Sequence, residues 1–390
     1  MLAFELPPFN SGGLGEAVLC LTKSLAKMGV EITLLLPNKL PYTHKHMKII
    51  FADELLPKTQ DKQTQANSQK NGNSINFGTF KPYTGAVETQ LLAGGYEILS
   101  NLMIQRALQE EFDVIHGHDW MTVKSCLEIK RITNKPLILQ IHSTEYDRSP
   151  HEYINKYKYT IEKIGMENAE AIIAVSKYTR TIINKHYKIP VDKIYVVYNA
   201  PTLETVDTKQ KLAIKENIIL FIGRITYQKG LHQFLETCKN VINEVPNTLV
   251  VVVGNGDMYH EIIAKACEMG MVGKIVFTGF LRGTQRDIVF NSSSVFLMPS
   301  LSEPFGLVAT EAAQFGVPVV ISKQSGVAEV LQYSIKVDFW DTSLMSKEII
   351  KILKNPKIKN RLTKGLEKDL KNLTWDQSAV ECIKTYNNVI

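Results

Sequence analysis

Short apolar runs alternate with amphipathic stretches of helical periodicity along almost the whole chain. The runs are six or seven residues long and mostly Val, Ile and Leu, which is typical of buried strands. They lie at 31–37, 113–118, 136–142, 171–176 and 194–199, and again at 218–224, 249–254, 274–279, 295–300 and 317–322. Strands that alternate with helices predict parallel sheets covered by helices. The pattern therefore predicts an α/β protein with two doubly wound, Rossmann-like domains that face one another.

The limits of the two domains follow from a break in this pattern. Residues 200–217 are polar and charged and show no strand pattern, so we place the first domain at 1–199 and the second at 200–375. The tail from Trp375 to Ile390 is a separate helix candidate. Residues 59–76 are rich in Gln and Asn and almost free of apolar side chains, which favours a surface insertion.

The overall charge and the cysteines exclude several functional classes. The 45 Lys and Arg against 39 Asp and Glu give a net charge of +6, with no massed basic face of the kind that a nucleic-acid partner requires. The five cysteines are scattered without a Cys-x-x-Cys pair, which argues against a disulfide framework or a zinc site. No apolar run approaches the ~20 residues of a membrane helix, and the N-terminus lacks a signal-peptide pattern. We expect a soluble cytoplasmic protein, which leaves peripheral contact with a membrane open.

A glycine pair precedes the first helix candidate. In 9-FNSGGLGEA-17, Gly12 and Gly13 would let the backbone approach a ligand closely, and the helix N-terminus offers N–H groups to an anion. A purely structural turn explains the pair equally well. Neither domain carries the Gly-x-Gly-x-x-Gly fingerprint, so a dinucleotide-dependent dehydrogenase is not expected.

Two cations follow the first strand of the second domain. In 221-FIGRITYQKG-230, Arg224 and Lys229 come directly after that strand, and ligands of open α/β sheets bind outside the carboxyl ends of strands. A guanidinium fork and an ammonium point charge suit a diphosphate whose charge grows as it leaves. We therefore assign both residues to catalysis, against the alternative of a pair of surface cations.

The segment 300-SLSEPFGLVATEAAQFGVPVVIS-322 carries the most information. A helix is predicted from about Gly306 to Phe315, so the amides of Gly306 and Leu307 would point at phosphate. Glu303 lies in the loop before this helix without a local structural partner, which favours hydrogen bonds to sugar hydroxyls. Glu311 lies two turns into the helix, where it caps nothing, and bidentate acceptance from a ribose diol would explain it.

Several motifs together resemble one enzyme family. The Glu-x7-Glu spacing of Glu303 and Glu311 within EPFGLVATEAAQFGVPVV is similar to the signature of retaining glycosyltransferases of family 4. Four further segments fit the same family and follow one another in the order that the family shows: the N-terminal PPFNSGGLGE, then GRITYQKG, VGNGD and SGVAE. The segment 115-IHGHDWMT-122 resembles the HxHDW stretch of glycogen and starch synthases, and 141-IHSTEYDR-148 occupies the place of their active-site histidine segment. The resemblance covers essentially the whole chain.

The resemblance implies a GT-B fold, in which two Rossmann-like domains face a central cleft and a C-terminal helix, here 376–390, crosses back to complete the first domain. It implies transfer of a hexose, with glucose as the first candidate, from a nucleotide-diphosphate sugar to a glycan. The configuration would be retained, and neither a catalytic metal nor a cofactor would be needed. Matched motif by motif, Arg224 and Lys229 would stabilise the departing diphosphate. The remaining assignments are Glu311 on the ribose, Glu303 beside the reacting carbon, His142 over the donor sugar, Asp119 shaping that pocket, and Gly12 and Gly13 closing over the donor.

Two predicted strands of the first domain carry three histidines. His116 and His118 alternate along one strand, and we expect their rings to point to opposite faces, so that only one of them meets the cleft. We choose His118, which with Asp119 lies near the strand end, as the donor-binding residue. His142 also ends a strand, which supports its catalytic assignment.

One departure from the bacterial synthases concerns the donor. Those enzymes carry Lys-x-Gly-Gly-Leu, and Asn10 takes the lysine's place in this chain. One phosphate-binding charge is therefore missing, so UDP-glucose is as good a candidate as ADP-glucose.

The acceptor is open between two types. A glucan acceptor predicts exposed sugar-binding aromatics, for which Tyr153, Tyr157 and Tyr159 are candidates, although helix packing also explains them. A lipid-linked or cell-surface glycan precursor predicts a basic and apolar patch on the first domain. A glycoside phosphorylase on the same fold is a further alternative, whereas a non-catalytic nucleotide-sugar-binding protein is disfavoured because Glu303, Arg224 and Lys229 are all present.

Overall fold

Strands and helices alternate in both halves of the chain. The computed structural model describes residues 1–10, 12–55, 95–149, 153–201 and 210–390. The strands are β1 (Thr33–Leu36), β2 (Lys48–Phe51), β3 (Ile115–His118), β4 (Leu137–Ile141), β5 (Ala171–Ala174), β6 (Ile194–Val196), β7 (Asn217–Ile222), β8 (Thr248–Val253), β9 (Ile275–Gly279), β10 (Val295–Met298), β11 (Val319–Ser322) and β12 (Ile335–Val337). The α-helices are α1 (Gly13–Lys27), α2 (Tyr96–Ala107), α3 (Trp120–Thr133), α4 (Glu145–Arg148), α5 (Lys156–Asn168), α6 (Lys177–Ile182), α7 (Leu231–Glu244), α8 (Tyr259–Glu268), α9 (Gly283–Ser292), α10 (Leu307–Gln314), α11 (Thr342–Lys354), α12 (Pro356–Lys371) and α13 (Trp375–Asn387).

The second sheet is a parallel sheet with one reversal of strand order. Its order is β12-β11-β10-β7-β8-β9, and every neighbouring pair is parallel. Counted from β7, this is the doubly wound order 6-5-4-1-2-3, which reverses between β7 and β10. Ligands of such sheets bind outside the carboxyl ends of the strands that flank the reversal. The loops after β7 and β10, which carry Arg224, Lys229 and Glu303, therefore lie where a ligand is expected.

The first residues of the chain complete the first sheet. β1 pairs with β2, and β3, β4, β5 and β6 pair in that order, all parallel. Leu2 bridges Leu35 on β1 and Gly117 on β3. The N–H of Leu2 donates to the carbonyl of His116 at 2.8 Å. This sheet therefore reverses between Leu2 and β3, which brings the glycine loop after Leu2 beside the end of β3.

All ten predicted strands are present, although several of them end earlier than predicted. The sequence pattern missed β2 and β12, which are four and three residues long. Both lie at the outer edge of a sheet, where partly exposed residues do not produce a long apolar run. The helix predicted at 16–29 spans Gly13–Lys27, and the helix predicted after Gly306 spans Leu307–Gln314.

The C-terminal helix α13 lies against the first sheet and its helix α1. Lys27 on α1 forms an ion pair with Asp376 at 2.5 Å, and the indole N–H of Trp375 donates to the carbonyl of Pro201 at 2.9 Å. The domain limits 1–199, 200–375 and 376–390 stay predictions, and the predicted insertion at 59–76 lies outside the described residues. Within the described ranges, no helix has both the length and the apolar character that crossing a membrane requires.

Candidate active site

The loops after β7 and β10 bring a carboxylate and an ammonium together. Nζ of Lys229 lies 2.5 Å from Oε2 of Glu303, and the same oxygen accepts from the hydroxyl of Ser300 at 3.2 Å. Glu303 is only 6% exposed. A Cβ at Gly230 would collide with the carbonyl of Pro299, so this glycine allows the two loops to approach. Two residues predicted to be catalytic from separate motifs thus form one largely buried ion pair.

Arg224 follows β7 but stays in solvent. Its side chain is exposed, and it has no ion-pair partner in the part of the chain that the structure describes. The backbone turns at Gly223, whose carbonyl lies so close to Gly254 that a Cβ there would collide with it. Arg224 and Lys229 are therefore one exposed and one partly buried cation at the same edge of the second sheet.

Helix α10 begins at the same edge. Its N-cap, Gly306, has φ 105°, a backbone conformation that residues with a side chain rarely adopt. The amides of Gly306 and Leu307 donate no hydrogen bond to a described residue, as expected for the first turn of a helix. A Cβ at Gly13 would lie 3.1 Å from Cδ1 of Leu307, so the glycine loop of the first domain faces this helix N-terminus.

Glu311 is held by an arginine that the sequence analysis missed. NH1 of Arg286 donates to Oε1 of Glu311 at 3.3 Å, and Nε of Arg286 lies 3.5 Å from Oδ1 of Asp287. Glu311 is 5% exposed and Asp287 is 1% exposed. The guanidinium therefore links two buried carboxylates and fixes the one that was assigned to the ribose. The sequence indicated that Glu311 needs a partner, because it lies two turns into its helix and caps nothing. It did not identify Arg286 as that partner.

His142, His118 and Asp119 meet at the carboxyl ends of β3 and β4. The N–H of His142 donates to Oδ1 of Asp119 at 2.6 Å, and Nε2 of His142 lies 3.0 Å from Nδ1 of His118. Asp119 adopts φ 58° and ψ 176°, a conformation that costs about 1–3 kcal/mol in a residue with a side chain. Burial raises the pKa of Asp119 to about 6. Asp119 and His118 thus lie behind His142 and hold it, and their direct contact with a donor stays a prediction.

The expectation that His116 and His118 point to opposite faces is wrong. Their rings stack with centroids 4.4 Å apart, because residues two apart on a strand share a face. Both are 1% exposed, so neither ring lines the cleft directly. His142 is half-buried and lies directly after β4, so it is the one of the three that keeps exposed surface.

A partly buried arginine fixes the loop that follows His142. Arg148 donates to the carbonyl of Ser143 at 2.9 Å and forms ion pairs with Glu162 and Glu145. Although burial lowers the pKa of this guanidinium, the surrounding carboxylates raise it above the ordinary value. Asp147, in the same loop, accepts from the hydroxyl of Ser302 at 2.6 Å. The loops that carry His142 and Glu303 are therefore joined directly across the two domains.

The glycine loop is joined to the second domain by Arg282. NH2 of Arg282 donates to the carbonyl of Asn10 at 2.7 Å, and the guanidinium lies 4.8 Å from the ring of Phe280. Phe280 is 56% exposed and follows β9 at the carboxyl edge of the second sheet. A cation thus reaches the backbone of Asn10, the position at which the resemblance lacks its lysine.

Glu329 of the second domain caps a helix of the first. Its carboxylate accepts from the N–H groups of Lys177 at 3.0 Å and Tyr178 at 2.7 Å, at the start of α6, and from the hydroxyl of Tyr198 at 2.7 Å. Nearby, the hydroxyl of Ser176 donates to the carbonyl of Pro304 at 2.6 Å. These contacts, which we call the Glu329 contact, hold the loop of Glu303 against the first domain.

We expect Glu329→Gln to open the cleft, because hydrogen bonds to a charged acceptor contribute about 1.5–3 kcal/mol each and a glutamine amide presents one acceptor instead of two. Small-angle X-ray scattering should show a larger radius of gyration than for the wild type. Glu381→Gln, which changes an exposed carboxylate on α13, is the matched control and should leave the radius unchanged. Identical scattering from Glu329→Gln and wild type would show that this contact does not set the domain arrangement.

Comparison with known proteins adds independent findings. The family described as Glycosyl transferases group 1 matches residues 204–369, and Glycosyltransferase Family 4 matches residues 78–204. An uncharacterized glycosyltransferase of Methanocaldococcus jannaschii is 29% identical over 71% of this chain and 75% of its own length. Glycogen synthase of Mycobacterium tuberculosis is 24% identical over 99% of this chain and 93% of its own length.

A solved structure shares the architecture. Sucrose-phosphate synthase of Thermosynechococcus elongatus superposes with a TM-score of 0.75 at 18% identity, over 99% of this chain and 97% of that one. At this identity the likeness shows the fold alone, and it confirms the GT-B arrangement of two Rossmann-like domains around a cleft. The shared fold and the two family matches, one in each half, make this chain a glycosyltransferase of the GT-B type.

Proposed function

We propose that the enzyme transfers glucose from UDP-glucose or ADP-glucose to a glycan, with retention of configuration and without a catalytic metal. The ion pair of Lys229 and Glu303 carries this proposal. An ammonium has three donors, and Glu303 occupies one, so Lys229 can bind an oxygen of the diphosphate at the same time. The carboxylate assigned to the reacting sugar and a cation assigned to the leaving group therefore meet at the reversal of the second sheet.

The leaving group is stabilised from three directions. Lys229 and Arg224 supply positive charge, and the first turn of α10 supplies N–H groups at Gly306 and Leu307. Such preorganised donors contribute about 3 kcal/mol each when they act on charge that develops in the transition state. In this proposal they stabilise the negative charge on the leaving group, which a divalent metal does in other enzymes.

The chemical step needs one carboxylate beside the sugar. The bond from the anomeric carbon to the diphosphate oxygen breaks, and its electron pair stays on the diphosphate. The acceptor hydroxyl oxygen bonds to the anomeric carbon on the same face, and its proton passes to the departing diphosphate oxygen. Glu303 stays ionised and stabilises the positive charge on the sugar ring.

Ribose and nucleobase have matching groups in the second domain. Glu311, oriented by Arg286, accepts hydrogen bonds from the ribose diol in this proposal. The exposed ring of Phe280 lies at the same edge and offers a stacking surface to the base. Glucose as the donor sugar is supported by the likeness to a glycogen synthase over nearly the whole chain.

A second candidate acceptor is a lipid-linked glycan, and one surface of the first domain favours it. At the start of α5, Tyr153 is 75% and Tyr157 is 46% exposed, and Lys156 is also exposed. Ile164, about two turns further along the helix, is 44% exposed. This is a basic and apolar patch on the first domain, and its tyrosines also suit a glucan. Tyr159, in contrast, is partly buried and packs against Tyr146 and Tyr187 at the margin of the core.

The products of transfer from an α-configured nucleotide glucose test the proposal. With EDTA present, we expect an α-linked product, read from the coupling of its anomeric proton by NMR. A β-linked product, or activity that disappears in EDTA and returns with Mg²⁺, would contradict it. Glycogen and vesicles that carry a lipid-linked glycan are offered in parallel, so that the substrate used decides between the two acceptors.

A further inference from the structure

One tyrosine and three histidines form a continuous, largely buried row behind the candidate active site. The hydroxyl of Tyr386 on α13 lies 2.7 Å from Nδ1 of His116, whose ring stacks on that of His118. Nδ1 of His118 lies 3.0 Å from Nε2 of His142. The histidine row, as we call these four residues, thus runs from the C-terminal helix through β3 to the end of β4.

Burial favours the neutral form of all three imidazoles. Burial lowers the pKa of His116 to about 3 and that of His142 to about 4, and it holds the pKa of His118 well below its ordinary value. A neutral imidazole has one N–H donor and one acceptor nitrogen. Of the two nitrogens that meet between His118 and His142, one therefore carries a proton and the other does not.

The environment of the other nitrogen of His118, Nε2, indicates which of these two nitrogens carries the proton. Nε2 of His118 is buried and has no hydrogen-bond partner among the described residues. If His142 were the donor, His118 would carry its proton on Nε2 and would bury an N–H group without an acceptor. Buried N–H groups without a partner are rarer in proteins than unpaired acceptors. The arrangement with fewer unpaired donors has His118 donating from Nδ1 and His142 accepting at Nε2.

We propose that His118 is a positioning residue that fixes His142 as the tautomer with its proton on Nδ1, and that His116 and Tyr386 hold the ring of His118 in the required plane. The inference rests on the proposed function, in which His142 contacts the donor sugar. A histidine fixed in this way offers one N–H donor and has its lone pair already engaged. His142 therefore donates a hydrogen bond to a sugar oxygen and does not act as a general base.

Two variants of nearly equal shape separate donation from packing. In His118→Asn the amide nitrogen takes the place of Nδ1 and can donate, whereas in His118→Leu nothing can. Long-range ¹H–¹⁵N NMR, assigned with His142→Gln, should show a proton on Nδ1 of His142 in the wild type and in His118→Asn. In His118→Leu we expect mixed tautomers and a kcat about 10- to 100-fold lower, by analogy with the loss seen when the hydrogen bond that orients a metal-bound histidine is removed. The KM of the donor should change much less, and His118→Asn should retain most of kcat.

Tyr386→Phe tests the far end of the row if His118→Leu does not fold. It should shift the Nδ1 signal of His116. Tyr96→Phe is the matched control, because Tyr96 is also buried but its hydroxyl donates to the carbonyl of Trp120, outside the row. This variant should leave all three histidines unchanged. An unaltered His116 in Tyr386→Phe would exclude the tyrosine from the row.

The result that overturns the inference is a proton on Nε2 of His142 in the wild type, or a folded His118→Leu with unchanged kcat. The tautomer is read without any substrate. An active enzyme with the other tautomer would refute this inference alone, whereas the expected tautomer in a protein without transferase activity would refute only the proposed function.

Discussion

Glu303→Gln is expected to lower kcat for sugar transfer by about 10²- to 10³-fold, the usual effect of removing one group that stabilises transition-state charge. Glutamine keeps the shape of the side chain but removes the negative charge that we place beside the anomeric carbon. The backbone of the loop should persist, because the N–H of Glu303 donates to Gln324 and its carbonyl accepts from Gly326. Steady-state kinetics of nucleoside diphosphate release measure the effect.

Glu311→Gln is the matched control for this variant. It removes a carboxylate that is also buried, but one that we place on the ribose and not on the reacting sugar. Glu311→Gln should therefore raise the KM of the donor with a smaller change in kcat, whereas Glu303→Gln should do the opposite. Equal losses of kcat in both variants, or full activity of Glu303→Gln, would refute the assignment of Glu303.

Lys229→Met is expected to lower kcat by about 10²-fold or more and to weaken binding of the nucleoside diphosphate product. The ammonium acts on charge that grows on the leaving group, so its loss affects the transition state most. The variant also leaves Glu303 buried without its cation, which typically costs about 3–5 kcal/mol of folding stability. Calorimetric titration with UDP and with uridine separates the diphosphate contact from the contacts of base and ribose.

Arg224→Met is the control that separates function from folding. Arg224 is exposed, so its loss should leave the unfolding midpoint unchanged while it still weakens UDP binding and lowers kcat. Uridine binding should stay the same in both variants. Weaker uridine binding, or unchanged UDP binding in both, would show that these cations do not contact the diphosphate.

Much of the candidate site could be predicted because it follows from strand order. Arg224 and Lys229 follow β7 and Glu303 follows β10, and the carboxyl ends of parallel strands next to a reversal meet at one place. The pattern of apolar runs is enough to place those strands. It does not reveal that Lys229 and Glu303 touch, because that contact depends on how two loops pack around Gly230.

The contacts between distant segments could not be predicted from one sequence. Arg286 reaches Glu311 from another helix, and Glu329 caps a helix that begins about 150 residues earlier in the chain. The local pattern around Arg286 does not differ from that of an ordinary surface charge, and the SGVAE motif that contains Glu329 does not show which helix it caps. Only the folded backbone brings such partners together.

The error about His116 and His118 had a different origin. The period of a strand places residues two apart on the same face, so the sequence itself indicated that these rings are neighbours. What the sequence could not give is the next contact, from His118 to His142 on the adjacent strand, since the register of β3 against β4 is fixed only in the sheet. Support of His142 by His118 is for that reason a proposal that only the structure suggests, and the donor contact of His118 stays a prediction.

Whether the enzyme is a metal-independent glucosyltransferase that depends on Glu303 is measured by release of nucleoside diphosphate from UDP-, ADP- and GDP-glucose, with and without glycogen and with EDTA throughout. We expect release from a uridine or adenosine donor by the wild type and its loss in Glu303→Gln. No release from any of the donors by the folded wild-type protein, or equal release by wild type and Glu303→Gln, would contradict it.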